Sequence, residues 1–360
     1  MKSAYQKIKL GDIVQFCYGK SLTEETRKIG EVPVYGSSGI VDYNDKFLVK
    51  GPGLIVGRKG NVGSVYFEKN NFFPIDTVYF LKKTNEVDDL RYLYYLLKYL
   101  PLNKLNSDAA VPGLNRETAL KVKTFLPNPI TQRKISNILL SYDDLIDTNR
   151  RRIQLLEESA RLLFREWFVY FRFPGHEKVK IVDGVPEGWK KGLLGDMTIV
   201  KKGRNITFEN AVEGNVSVVG GGLKPSYYHN KANVSAPVIT ISASGANAGY
   251  VNIYETDIWA SDCSYINKDS TKYIYSLYLR LKSLQSAISS FQVGAAQPHV
   301  YLRDLNRLKL LIAPDNLCMQ FEQLVIPIFN LIKNLKSENQ KLAQARDLLL
   351  PRLMSGAIEV

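Results

Sequence analysis

Leu10-Gly11-Asp12 near the start of the chain and Leu194-Gly195-Asp196 in its middle are the same three residues, 184 positions apart, and that repetition decides the fold. The echo continues in order. Gly36 returns at Gly220 (184), Gly60 at Gly245 (185) and Asp76 at Asp262 (186); Ala109-Ala110-x-Pro112 returns at Ala295-Ala296-x-Pro298 (186), and Pro127 at Pro314 (187). Loop insertions make an offset grow slowly in one direction, whereas chance matches scatter. The chain is therefore an internal duplication.

Each half runs into an amphipathic helical pattern. In the first, Ile135, Leu139, Tyr142, Ile146, Asn149, Ile153, Leu156, Ala160, Leu163 and Trp167 recur at spacings of 4 and 3. That heptad seam is the signature of a helix lying along another helix. Asn149 is its one amide; it either fixes register inside the seam or marks a solvated position where the seam frays. Pro174-Gly175 is read as the end of this helix. The second seam carries Leu324, Ile328, Leu331, Leu335, Glu338, Leu342, Ala345 and Leu349, offset by 189 from the first (324 − 135). Pro327 predicts a kink or a late start there, and Pro351 a stop. Each seam lacks a partner, so the economical solution packs them on each other. If a two-fold axis relates the halves, the helices run antiparallel.

The remaining sequence reads as two similar globules. Val32-Pro33-Val34-Tyr35, Gly53-Leu54-Ile55-Val56-Gly57 and Val238-Ile239-Thr240-Ile241 are short buried strands. Asp89 to Leu97 and Tyr273 to Leu284 are helices, the first stopped near Pro101. Residues 173–188, with Pro174, Gly175, Gly184, Pro186 and Gly188, form a linker. The fold class is α+β with an internal pseudo-two-fold repeat.

The 360 residues carry 48 Lys+Arg against 35 Asp+Glu, a formal net charge of +13. That surplus favours a polyanionic partner, nucleic acid first. No stretch approaches the ~18–20 apolar residues of a membrane span, and Met1 to Lys7 has no apolar run behind it, so no signal peptide is expected. Cys17, Cys263 and Cys318 are odd in number and far apart, which suggests a reducing, cytoplasmic setting.

Catalytic motifs are missing. Gly19-Lys20-Ser21 ends like a phosphate-binding loop, but Val14 stands where that motif needs glycine. Gly36-Ser37-Ser38-Gly39 is one residue short of a nucleophile elbow. His176, His229 and His299 have no partner at metal-ligand spacing, so no metal is expected. Asn128-Pro129-Ile130 lacks the second proline and the aromatic of the amino-methyltransferase tetrapeptide. A binding protein is favoured over an enzyme; a self-contained methyltransferase or nuclease and a protein-interaction adaptor are the rivals.

Base readout needs forked donors and acceptors, and phosphate positioning needs Lys, Arg and backbone amides. In the first globule the candidates are Ser37, Ser38, Arg58, Lys59, Asn61, Asn115 and Arg116. In the second they are Lys201, Lys202, Arg204, Asn205, Lys224, Ser242, Ser244, Asn247, Gln297, His299 and Arg303. All fall in Gly/Pro-bounded segments read as loops. The alternative for each is a solvated surface residue, as it is for Arg150-Arg151-Arg152. Across the repeat Arg58-Lys59 becomes Ala243-Ser244, and Leu114-Asn115 becomes Val300-Tyr301. One scaffold with different loop chemistry implies two different recognised sequences.

With the repeated Leu-Gly-Asp openings, the chain resembles the specificity (S) subunits of Type I restriction-modification enzymes. Val185-Pro186-Glu187-Gly188-Trp189 precedes the second opening. Ala109-Ala110-Val111-Pro112-Gly113-Leu114-Asn115 and Gly294-Ala295-Ala296-Gln297-Pro298-His299-Val300 look like the family's domain-closing motif, and Arg346 to Gly356 like its C-terminal signature. The resemblance implies two target-recognition domains, at 1–130 and, with the linker, 173–316. It implies two spacer helices, at 131–172 and 317–360, forming an antiparallel coiled coil. It further implies double-stranded DNA with a bipartite site as target, and docking of two modification (M) subunits that bind adenosylmethionine and methylate adenine. Restriction (R) subunits using ATP and Mg would join them. No cofactor is expected in this chain. Both recognition domains are compact for the family. The first seam, 33 residues from 135 to 167, would span roughly 50 Å at ~1.5 Å per residue, on the order of 15 base pairs of ~3.4 Å.

Overall fold

The short apolar runs at 32–35, 53–57 and 238–241 all form strands, and three sheets of one half have counterparts in the other. The computed structural model describes residues 5–84, 87–105, 113–294 and 296–360. The chain divides into unit 1, residues 1–148 with 338–360, and unit 2, residues 149–337.

Unit 1 contains β1 (Tyr5–Lys9), α1 (Leu10–Ile13), β2 (Val14–Tyr18), β3 (Val32–Gly36), β4 (Gly39–Asn44), β5 (Gly53–Gly57), β6 (Val65–Glu68), β7 (Phe73–Pro74), β8 (Val78–Lys83), α2 (Leu90–Tyr99), α3 (Arg116–Leu120), β9 (Lys123–Pro127) and the first part of α4 (Pro129–Phe168). Its sheets are β2-β8-β5-β6, β4-β3-β7 and β1-β9. Strand β5 is buried at every residue because both its faces are covered. Leu54 and Val56 pack with Leu93 and Leu96 of α2, and Ile55 with Tyr35, Phe72 and Val78. A strand sandwiched this way reads as a continuous apolar run, although its side chains still alternate in direction.

Unit 2 holds β10 (Ile181–Val182), β11 (Val185–Pro186), β12 (Lys190–Leu193), α5 (Leu194–Met197), β13 (Lys201–Lys202), β14 (Val216–Val219), β15 (Tyr227–His229), β16 (Val238–Ser242), β17 (Val251–Tyr254), β18 (Ile258–Ala260), β19 (Cys263–Asn267), α6 (Ile274–Ser283), α7 (Gln285–Ser289), α8 (Leu302–Asn306), β20 (Lys309–Ile312) and the first part of α9 (Asp315–Met354). Three of its sheets, β13-β19-β16-β17, β15-β14-β18 and β12-β20, reproduce the three of unit 1 strand for strand, and the β10-β11 hairpin is an addition of this unit. The parallel pair recurs as well, β3 with β7 and β14 with β18. The Leu-Gly-Asp motif explains itself physically. Asp12 and Asp196 accept the amides of Lys9 (2.7 Å) and Leu193 (2.8 Å), closing the first turn of α1 and α5. Leu10 and Leu194 are fully buried. A Cβ on Gly11 would sit 3.2 Å from Leu120 of α3.

The two long helices are an antiparallel pair. In unit 1 Arg346 of α9 reaches Asp143 of α4; in unit 2 Lys336 lies 3.4 Å from Glu157. Partners thus fall in α9 as they rise in α4. On α4 the buried stripe runs through Ile135, Leu139, Ile146, Asn149, Ile153, Ala160 and Trp167. Asn149 is fully buried and its Nδ2 lacks a hydrogen-bond partner. On α9 the stripe runs through Phe321, Val325, Phe329, Ile332 and Leu335. It therefore starts three residues earlier than the spacing predicts. Leu324 (47%) and Leu331 (38%) are exposed, as is Glu338, and the offset between the helices is 186 (321 − 135). Two apolar tracks exist on α9, and only packing distinguishes them.

Helix ends also differ from expectation. Helix α4 starts at Pro129, with Asn128 Oδ1 accepting the Thr131 amide (2.9 Å), so Asn128-Pro129 is an N-cap followed by a first-turn proline. It stops at Phe168, before Pro174-Gly175, because Phe171 turns left-handed (φ 57°). That turn lets Phe171 and Phe173 pack on Trp189. Helix α9 begins at Asp315, so Pro327 delays nothing; it lies exposed within the helix. The helix also runs past Pro351 to Met354, ending before Gly356 (φ 72°).

In unit 2 Glu322 of α9 accepts the amides of Tyr275 (3.0 Å) and Ser276 (2.8 Å) at the N-terminus of α6. Burial raises its pKa above the ordinary 4.5, the backbone bonds offsetting only part of the effect. A raised carboxyl favours folding while protonated, and that advantage fades as pH rises through its folded-state pKa. Wild type should therefore lose stability relative to Glu322→Gln as pH rises above about 4.5. Urea melts of the two proteins across this range check it; a constant difference would contradict it.

Candidate nucleic-acid interface

In unit 1 the loop after β5 is held on every side. The Arg58 amide donates to the Thr77 carbonyl (2.9 Å), and the Arg58 carbonyl accepts the Leu114 amide (2.8 Å). Lys59 pairs with Gly113. Gly60 takes φ 77°, a region that L side chains resist. Asn61 Nδ2 donates to Ser38 Oγ (3.1 Å), and Ser64 and Tyr66 hydroxyls donate to the Ser37 carbonyl (2.7 and 3.0 Å). Asn115 Oδ1 caps α3 by accepting the Thr118 amide (3.0 Å), so part of its amide is already in use. The Arg58 and Arg116 guanidinium carbons lie 5.3 and 5.5 Å from the centroid of Tyr18, which is 51% exposed. Ser37, Ser38, Arg58, Lys59, Asn61, Asn115 and Arg116 thus form one cluster, to which the structure adds Tyr18. An isolated tyrosine before Gly19 gives no sequence signal of this role.

Unit 2 repeats the scaffold with other side chains. Ser244 pairs with His299 as Lys59 does with Gly113, Val300 donates to the Ala243 carbonyl (3.0 Å) as Leu114 does to Arg58, and Gly245 (φ 82°) matches Gly60. Ser242 and Ser244 are buried. Their hydroxyls donate to the Gly221 carbonyl (3.0 Å) and to the Asp262 carboxylate. Both are consumed inside the scaffold. Asn205 Oδ1 likewise accepts from Ser261 (3.1 Å). His299 stacks on Tyr301, with the Arg303 guanidinium on that ring at 5.5 Å. Gln297, Lys202, Arg204 and Lys224 are exposed; Asn247 and Lys201 are half-buried. Not all the candidates are in loops: Lys201 and Lys202 form β13, Ser242 ends β16, and Arg116 and Arg303 belong to α3 and α8. Ala109 to Pro112 and Ala295, in the closing motifs, lie outside the described residues.

Among the described residues no group of three His, Cys, Asp or Glu could hold a metal, and no helix is long and apolar enough to cross a membrane. The three cysteines are free. Burial pushes the Cys263 thiol up to about 12 and the Cys318 thiol to about 11, so neither is a thiolate near neutrality.

The model of the Type I restriction modification DNA specificity domain matches residues 2–158 and again 186–345. The chain belongs to this family. The two matches start 184 residues apart (186 − 2), the offset of the Leu-Gly-Asp motifs. The Type I restriction enzyme MjaIX specificity subunit of Methanocaldococcus jannaschii is 28% identical over 350 residues, 88% of this chain and 79% of that one. The HindI specificity subunit of Haemophilus influenzae is 22% identical, covering 72% of this chain and 74% of its own. In fold, the chain resembles the crystal structure of the S subunit of a Type I restriction-modification system from M. genitalium. The TM-score is 0.65 at 20% identity, over 97% of this chain and 96% of that one. As a specificity subunit, the chain is a DNA sequence-recognition component of a Type I restriction-modification system.

Proposed function

We propose that each unit reads one half of a bipartite DNA site, unit 1 with the loops around Arg58 and unit 2 with those around His299. The observation that carries this reading is a scaffold repeated strand for strand under loops of different chemistry. The net charge of +13 suits phosphate contacts. The paired helices α4 and α9 set the unread gap and dock two methyltransferase subunits. Those subunits bring adenosylmethionine and flip the target adenine out of the duplex; restriction subunits bring ATP and Mg. In this reading the chain is cytoplasmic, holds no cofactor and positions the chemistry without performing it.

The test is a selection from random duplex DNA at near-physiological salt, with the chain alone and with its methyltransferase subunit. Two fixed half-sites around a fixed gap are expected. A single uninterrupted motif, or none even with the methyltransferase subunit present, would put a protein-interaction adaptor ahead.

A further inference from the structure

Arg58 differs from Lys59 and Arg116, the other cations of its cluster, in how it is held. Its backbone is pinned through both amide and carbonyl, to Thr77 and Leu114. Its Nε is buried without a hydrogen-bond partner. Its guanidinium carbon lies over the Tyr18 ring, 5.3 Å from the centroid, and no carboxylate among the described residues pairs with it. Arg116, on the same ring, is ion-paired with Glu117 at 3.2 Å, and Lys59 is simply exposed. A phosphate contact tolerates a loose, solvated cation, whereas reading a base edge needs a fork whose direction is fixed before binding. Arg58 fits the second requirement. The forked pair that arginine makes in the major groove is with guanine O6 and N7.

We propose that Arg58 is the specificity-determining side chain of unit 1 and that it reads a guanine, with Tyr18 as its positioning residue. This rests on the bipartite reading above. At the same place unit 2 has Ala243, with Lys202 in place of Tyr18, so it lacks this fork. The guanine contact therefore belongs to one half-site only, and the two halves are read by different chemistry.

The test repeats the random-duplex selection with the full chain and its methyltransferase subunit, for wild type, Arg58→Ala, Arg58→Lys, Arg58→Gln, Tyr18→Ala and Arg116→Ala. Arg58→Ala and Arg58→Lys should each lose roughly ten- to a hundred-fold discrimination at one guanine position, in one half-site, with the other half unchanged. Arg58→Gln should shift that position towards adenine. Tyr18→Ala should weaken discrimination at the same position and no other. Arg116→Ala should lower affinity for all sequences alike and reduce the salt slope by about one. If Arg58→Ala and Arg58→Lys melt like wild type and keep the full motif, the proposal is overturned while bipartite recognition stands. If wild type itself enriches no split motif, the bipartite reading fails whatever Arg58 does.

Discussion

Phe321→Ala should destabilise unit 2 by about 3–5 kcal/mol, the cost of emptying a large aromatic site in a packed core. Phe321 is fully buried and meets three rings edge-on: Phe164 at 5.9 Å, Trp167 at 5.3 Å and Phe168 at 5.0 Å. All three lie on α4, so the substitution removes the contact that clamps the start of α9 to the end of α4. For a unit of this size the loss corresponds to roughly 6–20 °C in Tm. Leu324→Ala, one turn further on and 47% exposed, should cost under about 1 kcal/mol, since only part of its surface leaves water on folding. The pair of melts discriminates between the two apolar tracks of α9. Equal losses at both positions would mean that the stripe through Leu324 is also buried in solution.

Removing one heptad from each of α4 and α9 should shorten the unread gap by about three base pairs and leave both half-sites as they are. Seven residues of helix are about 10 Å long, and ~3.4 Å of duplex axis is one base pair. Whole heptads keep each seam in phase, so the helices should still pair. A heptad taken from one helix alone would strand apolar residues of the other and should lower the yield of folded protein instead. The readout is the spacing in selected DNA. Two intact half-sites at the original spacing would overturn the role of the helices as a spacer.

Much of this was legible in the sequence because the relevant forces are local. Duplication is visible wherever a residue type is required by its own backbone. Gly60 and Gly245 share a left-handed turn, and Asp12 and Asp196 each accept the amide three residues before them. The apolar run of β5 and the heptads of α4 announce themselves by period alone. The candidate loops were equally legible as places, since β5 and β16 must each end where their apolar run does. Which of their side chains is available was not. Ser242 and Ser244 look as free on paper as Arg58, yet Asp262 and Gly221, from other parts of the chain, occupy their hydroxyls.

The repeat, the strands at 32–35, 53–57 and 238–241, the two long paired helices and the difference in loop chemistry between the halves are all legible in the sequence. Each follows from spacing or from one residue's conformational needs. Packing alone places Phe321 rather than Leu324 against α4, ends α4 at Phe168 so that Phe171 and Phe173 can reach Trp189, and lays Arg58 on Tyr18. Each of these is settled by a partner distant in sequence. Burial and side-chain direction are properties of the packed pair, and no local pattern encodes which of two equally apolar faces will meet it.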